Sequence, residues 1–193
     1  MKGAHRLLIG LVLVASACTA SDGSEVASSP KITPVSDSSP YLCTFVPERA
    51  LRLALNAGGS LVDRATGTKE SGQCRVPAEH PYLLYVGWSQ EQKGWTKEDI
   101  DLVLQSKKNA YARQGGVSLP SDLGDGMAAK LNGGLPGQPY EMTAKFLCGG
   151  KERFLTFSFS EFAEGRDAFR DMTDLMRIAQ MRYADQYRCD LGK

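Results

Sequence analysis

The sequence predicts an α+β domain, an antiparallel sheet of about six strands built from two helix-plus-three-strand halves, with helices packed on it and two disulfides. Three observations carry this reading. A helix-like segment followed by three strand-like segments occurs twice along the chain. Four of the five cysteines, Cys43, Cys74, Cys148 and Cys189, fall as one pair in each half. The C-terminal stretch keeps a three-and-four apolar spacing over several turns.

The first half opens on residues 47–55, where Pro47 stands in a first turn and so has no N–H to leave unpaired; the run from Asn56 to Gly59 ends that helix. Strands are expected over about 60–66, 73–76 and 82–89, the last rich in aromatic and aliphatic side chains. A helix over about 97–113 follows, with Thr96 as its N-cap, Asp99 completing a capping box, and Trp95 and Ile100 placed as a hydrophobic staple. In the second half, strands are expected over 126–131, 140–147 and 153–160, with Gly149 and Gly150 supplying the positive φ of a hairpin turn. Phe154, Phe157 and Phe159 do not share one parity, so the strand is defined but its facing is not. The last helix, about 166–187, places Phe169, Met172, Leu175, Met176, Ala179, Tyr183 and Tyr187 on one stripe, which reads as core, with Arg170, Asp174, Arg177 and Asp185 opposite. The sheet is expected to carry its helices on one side and leave the other face open.

Residues 1–17 read as a signal peptide: Lys2, His5 and Arg6, an apolar run from Leu7, then Ala15-Ser16-Ala17 before Cys18. A cysteine after small residues is the acceptor of a thioether-linked diacylglycerol, so Cys18 is the expected lipidation site and new N-terminus, anchoring the chain on the extracytoplasmic face of the cell membrane with palmitate among its acyl groups. Spanning a bilayer would take ~20 apolar residues, more than this run holds. Residues 18–40, rich in Ser, Ala and Pro, bury too little to offset ordering and are expected to be a disordered tether; residues 41–193 form the single domain. Ser28-Ser29-Pro30-Lys31 matches an S-x-x-K pattern, but the companion S-D-N and K-T-G motifs are missing.

Giving Cys18 to lipid leaves an even number of cysteines, suited to two disulfides in an oxidising compartment. Three pairings are formally open, and the placement of one pair in each half favours Cys43–Cys74 and Cys148–Cys189. Zinc is poorly supplied: there is no C-x2-C spacing and His80 is the one histidine after residue 17. Residues 1–17 carry Lys2 and Arg6 and no acid, so the 23 basic and 22 acidic residues of the chain become 21 and 22 beyond it. A near-neutral chain whose longest cationic cluster is Lys107-Lys108 does not make a nucleic-acid interface.

The segment Tyr41-Leu42-Cys43-Thr44-Phe45-Val46-Pro47-Glu48, the turn at Gly58-Gly59, the second cysteine in Gly72-Gln73-Cys74-Arg75-Val76, and the ending from Arg166 through Arg182-Tyr183 to Cys189 resemble the small surface lipoproteins of mycobacteria and streptomycetes, whose function is unknown. Val46 departs from the hydroxyl-bearing cap expected before that proline. The resemblance implies a lipid-anchored extracytoplasmic α+β domain with two local disulfides and brings no catalytic residues with it.

Two function classes follow. An enzyme would need His80, which lies in the turn-like Ala78-Glu79-His80-Pro81, or a carboxylate pair such as Asp99 with Asp101 or Glu161 with Glu164 in a secreted cell-envelope hydrolase. Asp99 is already spent on a helix cap, and Glu161 and Glu164 suit a helix start. No catalytic, cofactor or metal residue is therefore assigned. A non-catalytic binding module, presenting a face to a partner protein, a cell-envelope fragment or a small apolar molecule, suits the anchor and tether better.

Overall fold

The computed structural model describes residues 32–77 and 79–192; the expected signal segment, Cys18 and the tether up to residue 31 lie outside the described residues. The fold is α+β. A short ribbon of β1 (Tyr41–Leu42) and β2 (Val46–Pro47) leads into α1 (Glu48–Leu55), β3 (Arg64–Gly67), β4 (Ser71–Val76) and β5 (Leu84–Gln90). Then come α2 (Lys97–Ala112), β6 (Val117–Ser118), β7 (Asp125–Leu135), β8 (Gln138–Cys148), β9 (Lys151–Phe159) and α3 (Ala168–Tyr187). Strands β3 to β9 make one antiparallel sheet in the order β3-β4-β5-β9-β8-β7-β6. It is two meanders, one from each half of the chain, joined where their last strands pair, Leu84 opposite Phe159 through Gln90 opposite Arg153.

The sheet has seven strands rather than six because the two-residue β6 pairs with Met127 and Ala128 on the edge of β7. The first strand starts at Arg64, later than residue 60. The helix at 97–112 has the expected cap: the Thr96 hydroxyl accepts from the Asp99 N–H, and Asp99 accepts from the Thr96 N–H at 2.8 Å. Trp95 packs with Ile100 and Leu104 against Phe154. The β8–β9 hairpin turns on Gly149 and Gly150 at φ 62° and 72°.

The two sheet faces differ. One is apolar: Leu84, Val86, Met142, Ala144, Phe146, Leu155, Phe157 and Phe159 pack beneath α1 (Ala50, Leu51, Ala54) and α3 (Met172, Leu175, Met176, Ala179, Tyr183). The mixed parity of the β9 phenylalanines is thereby explained, since Phe157 and Phe159 enter this core while Phe154 points to the opposite face. That second face is not open throughout, contrary to the sequence expectation, because α2 packs across β7, β8 and β9. It leaves the β3–β5 side bare. The α3 stripe is core from Met172 to Tyr183, but Phe169 and Tyr187 at its ends are only half-buried.

The same stripe also buries a charge. Asp171 is 3% exposed and pairs with the Arg166 guanidinium, through Nε and, at 2.8 Å, through Nη2; that guanidinium also donates to the Thr33 carbonyl at 3.1 Å. Glu161 and Glu164 stand in the loop before α3, not at its start, and the N-cap is Asp167, whose carboxylate accepts from the Arg170 N–H at 3.1 Å.

The disulfides are Cys43–Cys74 and Cys148–Cys189, with Cα atoms 5.6 and 5.3 Å apart. The first ties the β1–β2 turn to β4, and the second ties the end of β8 to the residue after the α3 cap.

Part of the expected tether belongs to this body. Residues 32–40 have no regular secondary structure, yet Val35 is buried in the core and Asp37 pairs with Arg182 on α3 and accepts from Tyr41 Oη at 2.9 Å. The described residues ahead of Tyr41, from Ile32, thus pack as part of the compact unit. The hydrogen bond from Arg182 holds the Asp37 carboxyl below its ordinary range. A carboxyl lowered in the folded state stabilises above its unfolded value, about 3.9, and loses that contribution as pH falls through the lower folded value. The contact between Asp37 and Arg182, followed by the NMR shifts of the Asp37 carboxyl and Arg182 Nε–Hε, should therefore persist at pH 5 and weaken progressively below about pH 4, whereas in Arg182→Gln the Asp37 titration moves up toward the ordinary carboxylate value. An Asp37 titration unchanged by that substitution would remove the tie.

Candidate functional site

The bare part of the second face is a groove whose floor is set by strand register. Arg75 of β4 lies opposite Tyr85 of β5, Tyr85 opposite Ser158 of β9, and Ser158 opposite Glu141 of β8. One row across four strands thus runs from a guanidinium through an aromatic ring and a hydroxyl to a carboxylate. The next row reads Gln73, Gly87, Thr156 and Thr143. Lys107 of α2 forms one wall, and the β4–β5 turn, carrying His80 and Tyr82, forms the other rim. The space enclosed is about 580 Å³, within the size range of small-molecule sites.

Tyr85 lies back along its strand over Gly87. A Cβ at Gly87 would stand 3.3 Å from the Tyr85 ring and hydroxyl and 3.0 Å from Thr156 Cγ2, so the absence of a side chain there gives the ring its bed. Beyond Tyr85 the groove continues toward Trp95 and Val103 as a shallower recess of about 470 Å³. Burial pushes the Tyr85 hydroxyl pKa up.

The acid in this groove is committed. Glu141 Oε2 accepts from Tyr111 Oη at 3.0 Å and lies 3.4 Å from Lys107 Nζ. Tyr111 is 1% exposed, and burial, reinforced by the Glu141 charge, keeps its hydroxyl protonated across the physiological range. Behind it, Thr143 Oγ1 donates to Thr156 Oγ1 at 3.0 Å and Thr156 Oγ1 to the Met142 carbonyl at 3.2 Å. Glu141, Thr143 and Thr156 thus each have a structural partner.

Of the two cations in the groove, Lys107 is committed to Glu141 and Arg75 is not. Among the described residues Arg75 makes no ion pair; its Nη2 reaches Gln73 Oε1 only at 3.4 Å, and its guanidinium lies 5.3 Å from the centre of the Tyr82 ring. His80 is exposed on the rim, edge-on to Tyr82 at 5.2 Å, without a carboxylate at hydrogen-bond distance among the described residues.

In each carboxylate pair considered in the sequence, at least one member is engaged elsewhere. Asp99 caps α2, while Asp101 pairs with Lys97 at 2.7 Å and with Lys145, which also meets Glu152 at 3.1 Å. Hydrogen bonds from Lys145 and then Lys97 lower the Asp101 carboxyl. Glu161 pairs with Lys130 at 3.1 Å on the surface. Among the described residues the one cluster with metal-ligand spacing is Cys43, Asp63 and Cys74; its sulfurs are joined to each other, and Asp63 accepts from the Cys43 N–H at 2.6 Å. A metal takes the thiolate, which a disulfide does not offer.

Comparison with protein-family models, with curated proteins and with solved structures gives no match.

The sequence reading missed the groove's key residues. Arg75, Tyr85 and Glu141 are scattered over three strands, and only their register brings them together. The available signal was Gly87 between Val86 and Trp88: a glycine inside a strand marks a bulge or a close approach, here that of the Tyr85 ring.

Proposed function

We propose that this chain is a lipid-anchored extracytoplasmic binding module without catalytic activity, and that its groove takes a small molecule bearing an acidic group beside a flat ring. One observation carries the reading: a guanidinium without an ion pair among the described residues, that of Arg75, lies among the Tyr82 and Tyr85 rings, in a groove whose one carboxylate among those residues, Glu141, is held by Lys107 and Tyr111. Acid–base hydrolysis needs two groups of separate protonation state facing one space, and the groove supplies none. An arginine fork instead suits a carboxylate, and aromatic rings suit a planar body. The two disulfides, the resemblance to actinobacterial surface lipoproteins and the Ala-Ser-Ala-Cys18 sequence support the address.

The test uses benzoate as a minimal probe and benzamide as its neutral isostere. Benzoate should shift the NMR signals of Arg75, Tyr82 and Tyr85 saturably. Arg75→Gln should weaken binding by about 10- to 100-fold, the equivalent of a hydrogen bond to a charged group, and benzamide should bind the wild type as weakly as benzoate binds the variant. Equal binding of the two probes sinks the acidic-ligand reading. In cells, a palmitate analogue should label the wild type and miss Cys18→Ala; equal labelling sinks the anchor.

A further inference from the structure

A second pocket lies at one end of the sheet, where the β3–β4 turn, the end of β5, the β8–β9 hairpin and the C-terminus of α3 meet. It encloses about 360 Å³ and shares no residue with the groove. Four cations line it, Lys69, Lys151, Arg153 and Arg188, against one carboxylate, Glu70. Arg188 occupies the C-cap of α3, so its charge is offset by the negative end of that helix. Glu70 lies 3.6 Å from Lys69. Lys151 and Arg153 remain.

Arg153 is the unusual member. It stands on the apolar face of β9, between Gln90 of β5 and Phe146 of β8, and is 8% exposed, yet Nε and Nη1 are buried without a hydrogen-bond partner and the residue makes no ion pair among the described residues. A buried guanidinium with unmet donors is destabilising unless something accepts from it. Nothing in the folding of the sheet requires it: methionine or leucine would extend the core made by Phe146 and Leu155. The two donors belong to a side chain lining a pocket whose other free charge, Lys151, is also positive.

We infer that this pocket is an anion site for a phosphate group, with Arg153 as its buried anchor and Lys151 and Lys69 at its mouth. A phosphate offers the oxygens that a guanidinium fork and two ammonium groups satisfy together, and the volume leaves room for a small alcohol esterified to it. The same chemistry is presented by a soluble phosphate ester and by the headgroup of an anionic phospholipid.

The experiment titrates inorganic phosphate against the full-length chain at constant ionic strength, with chloride as the control anion, following the Arg153 Nε–Hε signal and heat of binding. Saturable phosphate binding that chloride does not mimic is expected, weakened about 10- to 100-fold in Arg153→Met and strengthened in Glu70→Gln. Absence of saturable binding, or equal affinity in Arg153→Met, overturns the inference. If Arg153→Met does not fold, the Lys69→Gln/Lys151→Gln double variant decides, because those side chains lie at the mouth: loss of affinity supports the site and an unchanged affinity overturns it. Repeating the titration in phosphatidylcholine vesicles with and without phosphatidylglycerol identifies the source. Displacement of phosphate by phosphatidylglycerol assigns a headgroup, and undiminished binding assigns a soluble ester.

Discussion

Asp171→Ala is expected to cost about 3–5 kcal/mol, the range found when one member of a buried ion pair is removed. The substitution strands the Arg166 guanidinium, whose side chain is 8% exposed, with only the Thr33 carbonyl as partner. Against a total stability of ~5–15 kcal/mol, that loss leaves a large share of molecules unfolded at moderate urea. The double variant Arg166→Met/Asp171→Leu should recover most of it, because a hydrophobic pair removes both desolvation penalties. Urea unfolding of the single and double variants decides the matter. A single variant within about 1 kcal/mol of wild type would mean that the pair is solvated. Phe169→Ala, on the same helix, should be milder than the ~3–5 kcal/mol of a fully buried phenylalanine, since its ring is half-exposed and meets Tyr140 only edge-on at 6.5 Å.

The second large effect belongs to the disulfides. Sequence separations of 31 and 41 residues correspond in the chain-entropy model to nearly 4 kcal/mol each, roughly equal for the two because the dependence on loop length is logarithmic. Cys43→Ala/Cys74→Ala should show that loss and somewhat more, because the Cys43 N–H bond to Asp63 depends on the turn that the bridge holds. Cys148→Ala/Cys189→Ala should instead free the end of α3 before global unfolding, visible as faster amide exchange over 184–189 than in wild type. Should both pairs of variants unfold at the wild-type urea midpoint, the bridges would be stabilising nothing that packing does not already hold.

What could be read in the sequence was local. The Thr96–Asp99 box, the Trp95–Ile100 contact and the Gly149–Gly150 turn each depend on residues within a few positions of one another, and each is present. The disulfide pairing was legible because each pair closes a loop within its own half. Longer-range features were not. Asp37 and Arg182 are 145 residues apart, and no pattern in a Ser/Pro-rich segment signals that it will meet α3. Asp171 was invisible for a different reason: a stripe drawn through apolar positions passes over a polar one, and its partner lies off the helix, at Arg166. The groove waits on the pairing of β5 with β9, and helical period alone could not say that α2 would cross only half of its face.

That pairing also governs how the chain must reach its folded state. Every other seam within the two meanders closes a short connection, whereas β5 and β9 bring residues 84–90 to 153–159. Loop-closure entropy grows by about 0.6 kcal/mol for each doubling of length, so this seam costs about 2 kcal/mol more to close than a hairpin of a few residues. The expected order is therefore early, separate assembly of the two halves, with their docking as the step that sets the folding rate. Side chains that meet across the seam, Val86 with Phe157 and Trp88 with Leu155, are where a substitution would slow folding, whereas the same loss of contact at the outer strands would speed unfolding instead.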